Sequence, residues 1–567
     1  MARKFKIPTH EEVWKRFEKG YSFNEQIGLY DQVTVNENFF IGNQWEGVEA
    51  NGLPTPTYNM FKRVINFQVS TITSDNLTIR AIPMPSTSKL KMKDLERIAD
   101  IVSQQFAAIV KRNRIVGKNR EFLRNAAVTG DGCMHFYFDP SIENGQDVKG
   151  EIVAEIIDNL RVMFGNPNCR DVQRQPFVIM YRREMVDEVR YKAEQYKEEG
   201  LCKIEDIESI QADSDKFQNK YDSFTDDKVT VVTYYFRNRD TGTIWCMEAT
   251  EQGILREAYD TEYTLYPLVW INWDYIRDCY HGQAMVTGLL ANQKFINKMF
   301  ALVGISLLTT AFPKIIYDQN RIRRWDGSVG TAVGVQGNVN DVAKVLDGAS
   351  ISPQIAQFIE LSFDKTHSLL GASDVAMGDS RPDNTSAIIA LQRAANTPME
   401  LTKQNDHQCL EDAARIWIDI MSVRYGTRMV EIAMDMDEVG SQPLGMTLPK
   451  QEFTQPFDFS TLKAIPLTIE QEAGASSYWS EMASMQTLDN LLMNKLITPA
   501  QYIERLPNGY ISKKQELLAD LRAAAVPQTP PVDTGTYMSV ETTSENLPVQ
   551  PGSGNSSLQR AINREGA

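Results

Sequence analysis

The sequence predicts an α+β chain with more than one packing unit, and three observations carry that prediction. Apolar residues recur at helical spacing through much of the first 127 residues, as at Leu95, Ile98, Ile101, Val102, Phe106, Ile109 and Val110. Near Gly130 the period switches to two, and short β-rich runs continue to about Ala249. Beyond Gly282 the pattern returns to long helices. At 567 residues the chain exceeds what one hydrophobic core usually serves, and 42% hydrophobic content is enough to build several.

The elements follow in order. Thr9 and Glu12 form a capping box behind Pro8, so the run after them predicts helical segments ending near Gly42. "NGLPTPTYN" breaks the pattern, "MFKRVINFQVSTITSD" resumes it, and "LTIRAIPMP" leaves it as an extended piece closed by two prolines. Residues 89–127 predict helix again. "GDGCMHFYFDP", "EIVAEIID", "LRVMFG" and "PFVIMYRRE" predict strands, and "DKVTVVTYYFRNRDTGTIWCMEA" a hairpin around Asp240 to Gly242. Within the charged stretch from Met185 to Asp227, "DEVRYKAEQYKEEG" reads as a solvated surface helix.

After "YPLVWINW" a long helix is expected from near Gly282 to Phe312, about 45 Å at about 1.5 Å per residue, and Pro313 stops it. Residues 313–352 are short, glycine-punctuated and strand-like, after which Ser352 and Pro353 suit the N-cap and first position of a helix to Leu370. "GASDVAMGDSRPDNTS" is a loop, and Asn384, Thr385 or Ser386 can cap a third helix to about Tyr425, kinked at Pro398. A strand or two is expected between Thr427 and Pro466. "TIEQEAGASSYWSEMASMQTLDNLLMNKL", "TPAQYIERLP" and "KKQELLADLRAAA" predict helices, and the polar tail beyond Val526 predicts disorder.

A net charge of −15 argues against an extended basic surface that would hold nucleic acid by releasing counterions. Transient contact survives that argument, because a repulsive surface with a few cations lets a polyanion slide. The start "MARKFKIPTHEEVW" has no apolar core or cleavage site of a secretory signal. Six cysteines lie far apart without a C-x-x-C pair, which fits a reducing compartment. From Met299 to Phe312 no charged residue occurs, yet the run is shorter than the roughly 20 apolar residues a membrane span needs. It is expected to be buried in its own fold or against another subunit.

Candidate chemistry is sparse. Cys133 with His135, Cys279 with His281, and His407 with Cys409 are spaced to share a strand face, but they fall in different elements, and on a helix His407 and Cys409 diverge. No metal site and no cofactor are expected. Gly327, Gly330, Gly334 and Gly337 lack the G-K-[ST] of a phosphate loop. "GDGCMH" has no serine in a nucleophile elbow, and the acidic pairs Asp226–Asp227 and Glu198–Glu199 lie in solvated runs. No catalytic residues are predicted. Two features resist that plain reading. Arg321, Arg323 and Arg324 beside Trp325 form a cationic knot that suits a phosphate backbone or an acidic partner, or simply pairs with acidic neighbours. The loop "GDSRPDNTS" alternates Asp379, Arg381 and Asp383 before Asn384, longer than a helix connection requires.

This order of elements resembles the portal proteins of tailed bacteriophages, from roughly residue 29 to 521. The resemblance is strongest in "FFIGNQW" with "YNMFKRVINFQVSTI", in "AAVTGDGCMHFYFD", and in "YPLVWINWDYIRDCYHGQAMVTGLLANQKFINKMFALVGISLLTTAFPKIIYD". It implies a head-to-tail ring of about twelve subunits at one capsid vertex, through which double-stranded DNA passes. It implies as further partners the large terminase subunit, the major capsid and scaffolding proteins, and head-completion or tail adaptor proteins. It also implies that no membrane is involved and that the site of action is the virion, after assembly in the host cytoplasm.

Carried onto this chain, residues 1–281 resemble a wing, helical and then strand-rich, 282–312 a first stem helix, 313–351 a small α/β clip, and 352–372 a second stem helix. Residues 373–467 are similar to the tunnel loop, the long kinked helix and a return to the wing, 468–525 to a crown, and 526–567 to a disordered tail. Lys294 and Lys298, four apart on one helix face, become candidates for the channel lining with the loop residues Asp379, Arg381, Asp383 and Asn384, while Arg321, Arg323, Arg324 and Trp325 become candidate clip contacts. Two other readings are a metal-dependent nucleic-acid enzyme and a capsid or tail protein without a channel.

Overall fold

The capping box at Thr9 forms: its hydroxyl accepts the Glu12 N–H at 3.4 Å, and the Glu12 carboxylate accepts the Thr9 N–H at 3.2 Å. Helix α1 (His10–Gln26) follows, and α2 (Leu29–Ile41) ends at Gly42 in the left-handed region that glycine favours. The structure, a computed structural model, describes residues 5–50, 52, 54–73, 77–84, 91–213, 227–311, 315–322, 334–335, 338, 342–345, 353–369, 399–431, 454–473, 478–494, 496–506 and 517. The chain separates into two compact units, Met1–Glu481 and Met482–Ala567.

In the first unit α3 (Met60–Ile72) leads to strand β1 (Leu77–Pro83). The helical stretch expected over residues 89–127 is two helices, α4 (Met92–Arg112) and α5 (Ile115–Thr129). The break has a physical cause. The side chain of Asn113 accepts from the Ala154 N–H at 2.9 Å and donates to the Ile152 carbonyl at 2.8 Å, tying the chain to the next sheet. Arg114 then turns through φ 52°.

The expected strands form two antiparallel sheets together with two strands not assigned from the sequence, Gly253–Asp260 and Leu268–Asn272. Strands β2 (Asp131–Asp139), β3 (Glu151–Ile157) and β9 (Leu268–Asn272) pair in the order β3-β2-β9. Strands β4 (Val162–Phe164), β5 (Phe177–Met185), β6 (Lys228–Arg237), β7 (Ile244–Thr250) and β8 (Gly253–Asp260) pair in sequence order. Alternation sorts the five-stranded sheet's side chains to two buried faces. Ile179, Tyr181, Tyr234, Phe236 and Met247 pack under Val13 and Phe17 of α1. Val178, Met180, Tyr235 and Cys246 face Cys133 and Trp270 of the other sheet. Helix α6 (Val186–Glu198) is a surface helix as expected, seated by Val186, Val189 and Ala193.

Helix α7 (Met285–Ala311) begins three residues after the expected Gly282. The short strands β10 (Ile315–Tyr317) and β11 (Ala343–Val345) pair, and α8 (Pro353–Leu369) starts on the expected proline. Helix α9 (Glu400–Arg424) ends where the third long helix is expected to end; the expected start at Asn384, Thr385 or Ser386 and the expected kink at Pro398 lie outside the described residues. Its Trp417 meets Phe106 and Phe136 edge-on and centres the largest core. The strand or two expected between Thr427 and Pro466 are β12 (Thr427–Glu431) and β13 (Thr454–Asp458), which pair antiparallel.

One element differs in kind. "TIEQEA" was predicted as helix but lies in strand β14 (Leu467–Ala473), antiparallel to β1, with Ile469 opposite Ala81 and both buried. Its alternation, not its helix-forming glutamates, decides the outcome, because β1 offers an edge with Ile79 and Ala81 already facing the core. Helix α10 (Tyr478–Met493) and, in the second unit, α11 (Pro499–Arg505) follow. Within that unit Thr498 and Gln501 make a second capping box, and the Tyr502 hydroxyl donates to Asp489. The predicted tail beyond Val526 lies outside the described residues.

Candidate assembly and channel surface

The start of α7 is fastened by a buried carboxylate. Asp131 Oδ1 accepts from Asn272 Nδ2 at 2.7 Å and from the Gly282 N–H at 2.6 Å, and Oδ2 accepts from Asn159 Nδ2 at 3.2 Å. His281 Nδ1 lies 2.7 Å from Oδ2, and since a carboxylate only accepts, that nitrogen carries the proton. On its other side His281 Nε2 lies 3.1 Å from Asn24 Oδ1 in α1. Gly130 and Gly282 let the two backbones approach: a Cβ on Gly130 would stand 2.7 Å from the Gly282 oxygen. Four separate segments thus converge where α7 departs.

Asp131 is not among the residues singled out from the sequence, where "GDGCMH" offers no nucleophile. The signal was there in another form: an acid between two glycines promises a close backbone approach around a buried acceptor.

Beyond this root, buried amides hold the first half of α7 to the N-terminal segment. Gln32 Nε2 and Asn36 Nδ2 of α2 both donate to Thr287 Oγ1 at 2.9 Å. Asn297 Nδ2 donates to Gln44 Oε1 at 2.6 Å, Gln293 Nε2 donates to the Tyr58 carbonyl at 2.6 Å, and Asn297 Oδ1 accepts from Gln293 Nε2 at 2.9 Å. Phe300 stacks on Tyr58 at 4.0 Å, and a Cβ on Gly304 would stand 3.1 Å from Pro54. The support ends there. Leu307 lies seven residues beyond Phe300 and Leu308 seven beyond buried Ala301, on the same faces by helical repeat, yet they are 58% and 50% exposed. Leu302, Phe358 and Leu361 are also exposed, while Phe295 meets Phe358 of α8 edge-on at 6.0 Å.

The candidate channel residues are placed unevenly. Lys294 and Lys298 are both exposed on one face of α7, and Lys294 Nζ stands 5.5 Å from the centre of the Phe39 ring. Arg321 pairs with Asp318 at 3.5 Å and is half-exposed. Arg323, Arg324, Trp325, Asp379, Arg381, Asp383 and Asn384 lie outside the described residues, as do Gly327, Gly330 and Gly337.

The three Cys/His pairs serve different neighbourhoods. Cys133 and His135 share a face of β2, where His135 Nε2 lies 3.2 Å from the Tyr235 hydroxyl. Burial, helped by Arg182, holds its imidazole down to about 3, so it is neutral near pH 7. His281 belongs to the Asp131 cluster, and Cys409 Sγ reaches toward the Trp270 carbonyl at 3.8 Å while His407 points elsewhere on α9. Among the described residues no three His, Cys, Asp or Glu side chains gather as a metal ion requires. No helix of the described residues is long and apolar enough to cross a membrane.

What α7 presents is a firmly rooted rod whose outer turns lack cover from the described part of their own chain. No curated protein matches the sequence. A family model described as Phage P22-like portal protein matches residues 14–456, which includes both sheets, the rooted helix, α8 and α9. That match spans well over half of the 567 residues, and the chain belongs to the Phage P22-like portal protein family.

Proposed function

We propose that this protein assembles into a ring at one capsid vertex and forms the channel through which double-stranded DNA is packaged and later ejected. As a portal-family member it is a structural capsid component of a bacteriophage with a part in genome packaging. The finer reading rests on one observation: apolar residues continue the buried faces of α7 into turns that the described residues leave exposed. A soluble monomer seldom keeps such a patch without a partner for it. Neighbouring copies repeated around an axis would cover it, and about twelve copies would close the ring.

In this reading residues 1–281 form the wing, α7 and α8 the stem, residues 313–351 the clip that docks the terminase and later the tail adaptor, and residues 468–525 the crown. The loop from Gly378 to Ser386 faces the bore, and Lys294 and Lys298 lie along it. Twelve copies would carry about −180, a field that keeps DNA from adhering while a few cationic rings guide it. The protein itself performs no catalysis, and the packaging motor supplies the work. Averaged electron micrographs of the purified protein test the reading. Rings with an axial hole are expected; monomers or dimers alone at high concentration, with scaffold present, overturn it.

A further inference from the structure

A small pocket in the first unit is lined by three residues that each carry a buried oxygen with no hydrogen-bond partner among the described residues. It measures about 20 Å³ and lies where α3, α5, β1, α9 and β14 meet. Asp406 of α9 is 2% exposed; its Oδ2 accepts from Asn119 Nδ2 of α5 at 3.0 Å. Its Oδ1, the Asn119 Oδ1 and the Gln471 Oε1 of β14 are each buried with no hydrogen-bond partner among the described residues. All three residues line the cavity. Each such oxygen costs about 1–3 kcal/mol if left unpaired, so a cluster of three calls for an occupant.

We propose that this cavity binds one small monovalent cation of the sodium class, in competition with a proton on Asp406. Size limits the occupant to a single particle, since one water needs at least roughly 10–15 Å³. Charge selects it: the site supplies one carboxylate and neutral amide oxygens, so a monovalent ion is neutralised where a divalent one would remain charged in a buried place. The other titratable group lining the cavity is His407, beside Asp406 on α9, while α3, α5, β1 and β14 contribute neutral side chains. Burial holds the Asp406 carboxyl up to about 7, partly offset by the Asn119 bond. Without the ion, stability from this group is full below about pH 4 and is lost as pH rises through about 7, because the folded state holds the proton more tightly. The bound cation reverses that loss.

Melting of the full-length protein at equal ionic strength in sodium chloride or choline chloride, at pH 8 and pH 5.5, tests this. Choline is too large for the cavity. A higher melting temperature in sodium than in choline is expected at pH 8, shrinking at pH 5.5. Asp406→Asn removes the sodium response while melting at pH 8 in choline at least as high as the parent, and Gln471→Leu weakens the response with the carboxylate retained. Equal melting of the parent in the two salts at pH 8, or a sodium response that persists in Asp406→Asn, overturns the proposal and leaves a proton or a water as the occupant.

Discussion

The two halves of α7 are built on opposite terms. From Met285 to Lys298 the helix carries Thr287, Gln293 and Asn297 on its inner face, and each is bonded to the N-terminal segment. From Met299 to Ala311 it carries no charge at all, and Leu302, Leu307 and Leu308 are exposed. The inner half also buries Val286 and Ile296 and keeps Lys294 and Lys298 exposed, so it has an ordinary polar exterior that the outer half lacks. On the proposed reading, the contrast means that the two halves answer to different partners. Buried amides are directional and specify a single seating within one chain, whereas exposed leucines are non-directional and suit a surface completed by another copy.

The largest expected effect comes from breaking the outer half. Leu307→Glu with Leu308→Glu puts two charges where each leucine would otherwise gain about 1.5–3 kcal/mol on burial, and the cost recurs at every interface of a ring. Rings should vanish in micrographs and sedimentation. The monomer's melting curve should change little, because exposed substitutions stay within about 0.5 kcal/mol. Loss of monomer stability instead would place these leucines in an intrachain core and end the comparison.

Next in size is the root. Asp131→Ala strands the Gly282 N–H and the side chains of Asn272, Asn159 and His281 in the interior, and removing one partner from such a cluster costs about 3–5 kcal/mol. Denaturant unfolding of the monomer should show it directly. Asn297→Ala is smaller, about 1–3 kcal/mol, since it removes one amide that bridges Gln44 and Gln293. In both variants ring formation should fall only as far as the folded fraction falls. A variant that keeps full monomer stability would show that the amides do not seat the helix.

Much of this layout was legible because it depends on local rules. Thr9 with Glu12, the period switch at Gly130 and Pro353 as a first helical residue each act within a few residues of themselves. The misreadings depend on distant partners. "TIEQEA" becomes a strand only because β1, nearly 400 residues earlier, offers its edge, and the helical run after Lys89 breaks because Asn113 is claimed by β3. The α7 site was half legible for the same reason. An uncharged run announces that something must cover it, but the polar seating of Gln293 and Asn297 needs Gln44 and Tyr58, which periodicity alone does not bring near. Asp131 was the plainest omission, since its acceptors' partners come from three other segments.

The smallest expected effect separates the two lysines at the boundary between the halves. Lys294 stands over Phe39, so Lys294→Glu should cost about 0.5–1 kcal/mol of monomer stability by losing a cation from the ring face. Lys298 is exposed one turn further out, and Lys298→Glu should leave the monomer unchanged within about 0.5 kcal/mol. The informative readout is DNA packaging into assembled particles. If the pair faces the bore, both variants should form rings and package more slowly, most clearly at low salt, where a ring of reversed charges repels the duplex over the longest range. If Lys298 instead sits between subunits, Lys298→Glu should lose rings and packaging together, and the outer half's boundary moves one turn toward the root.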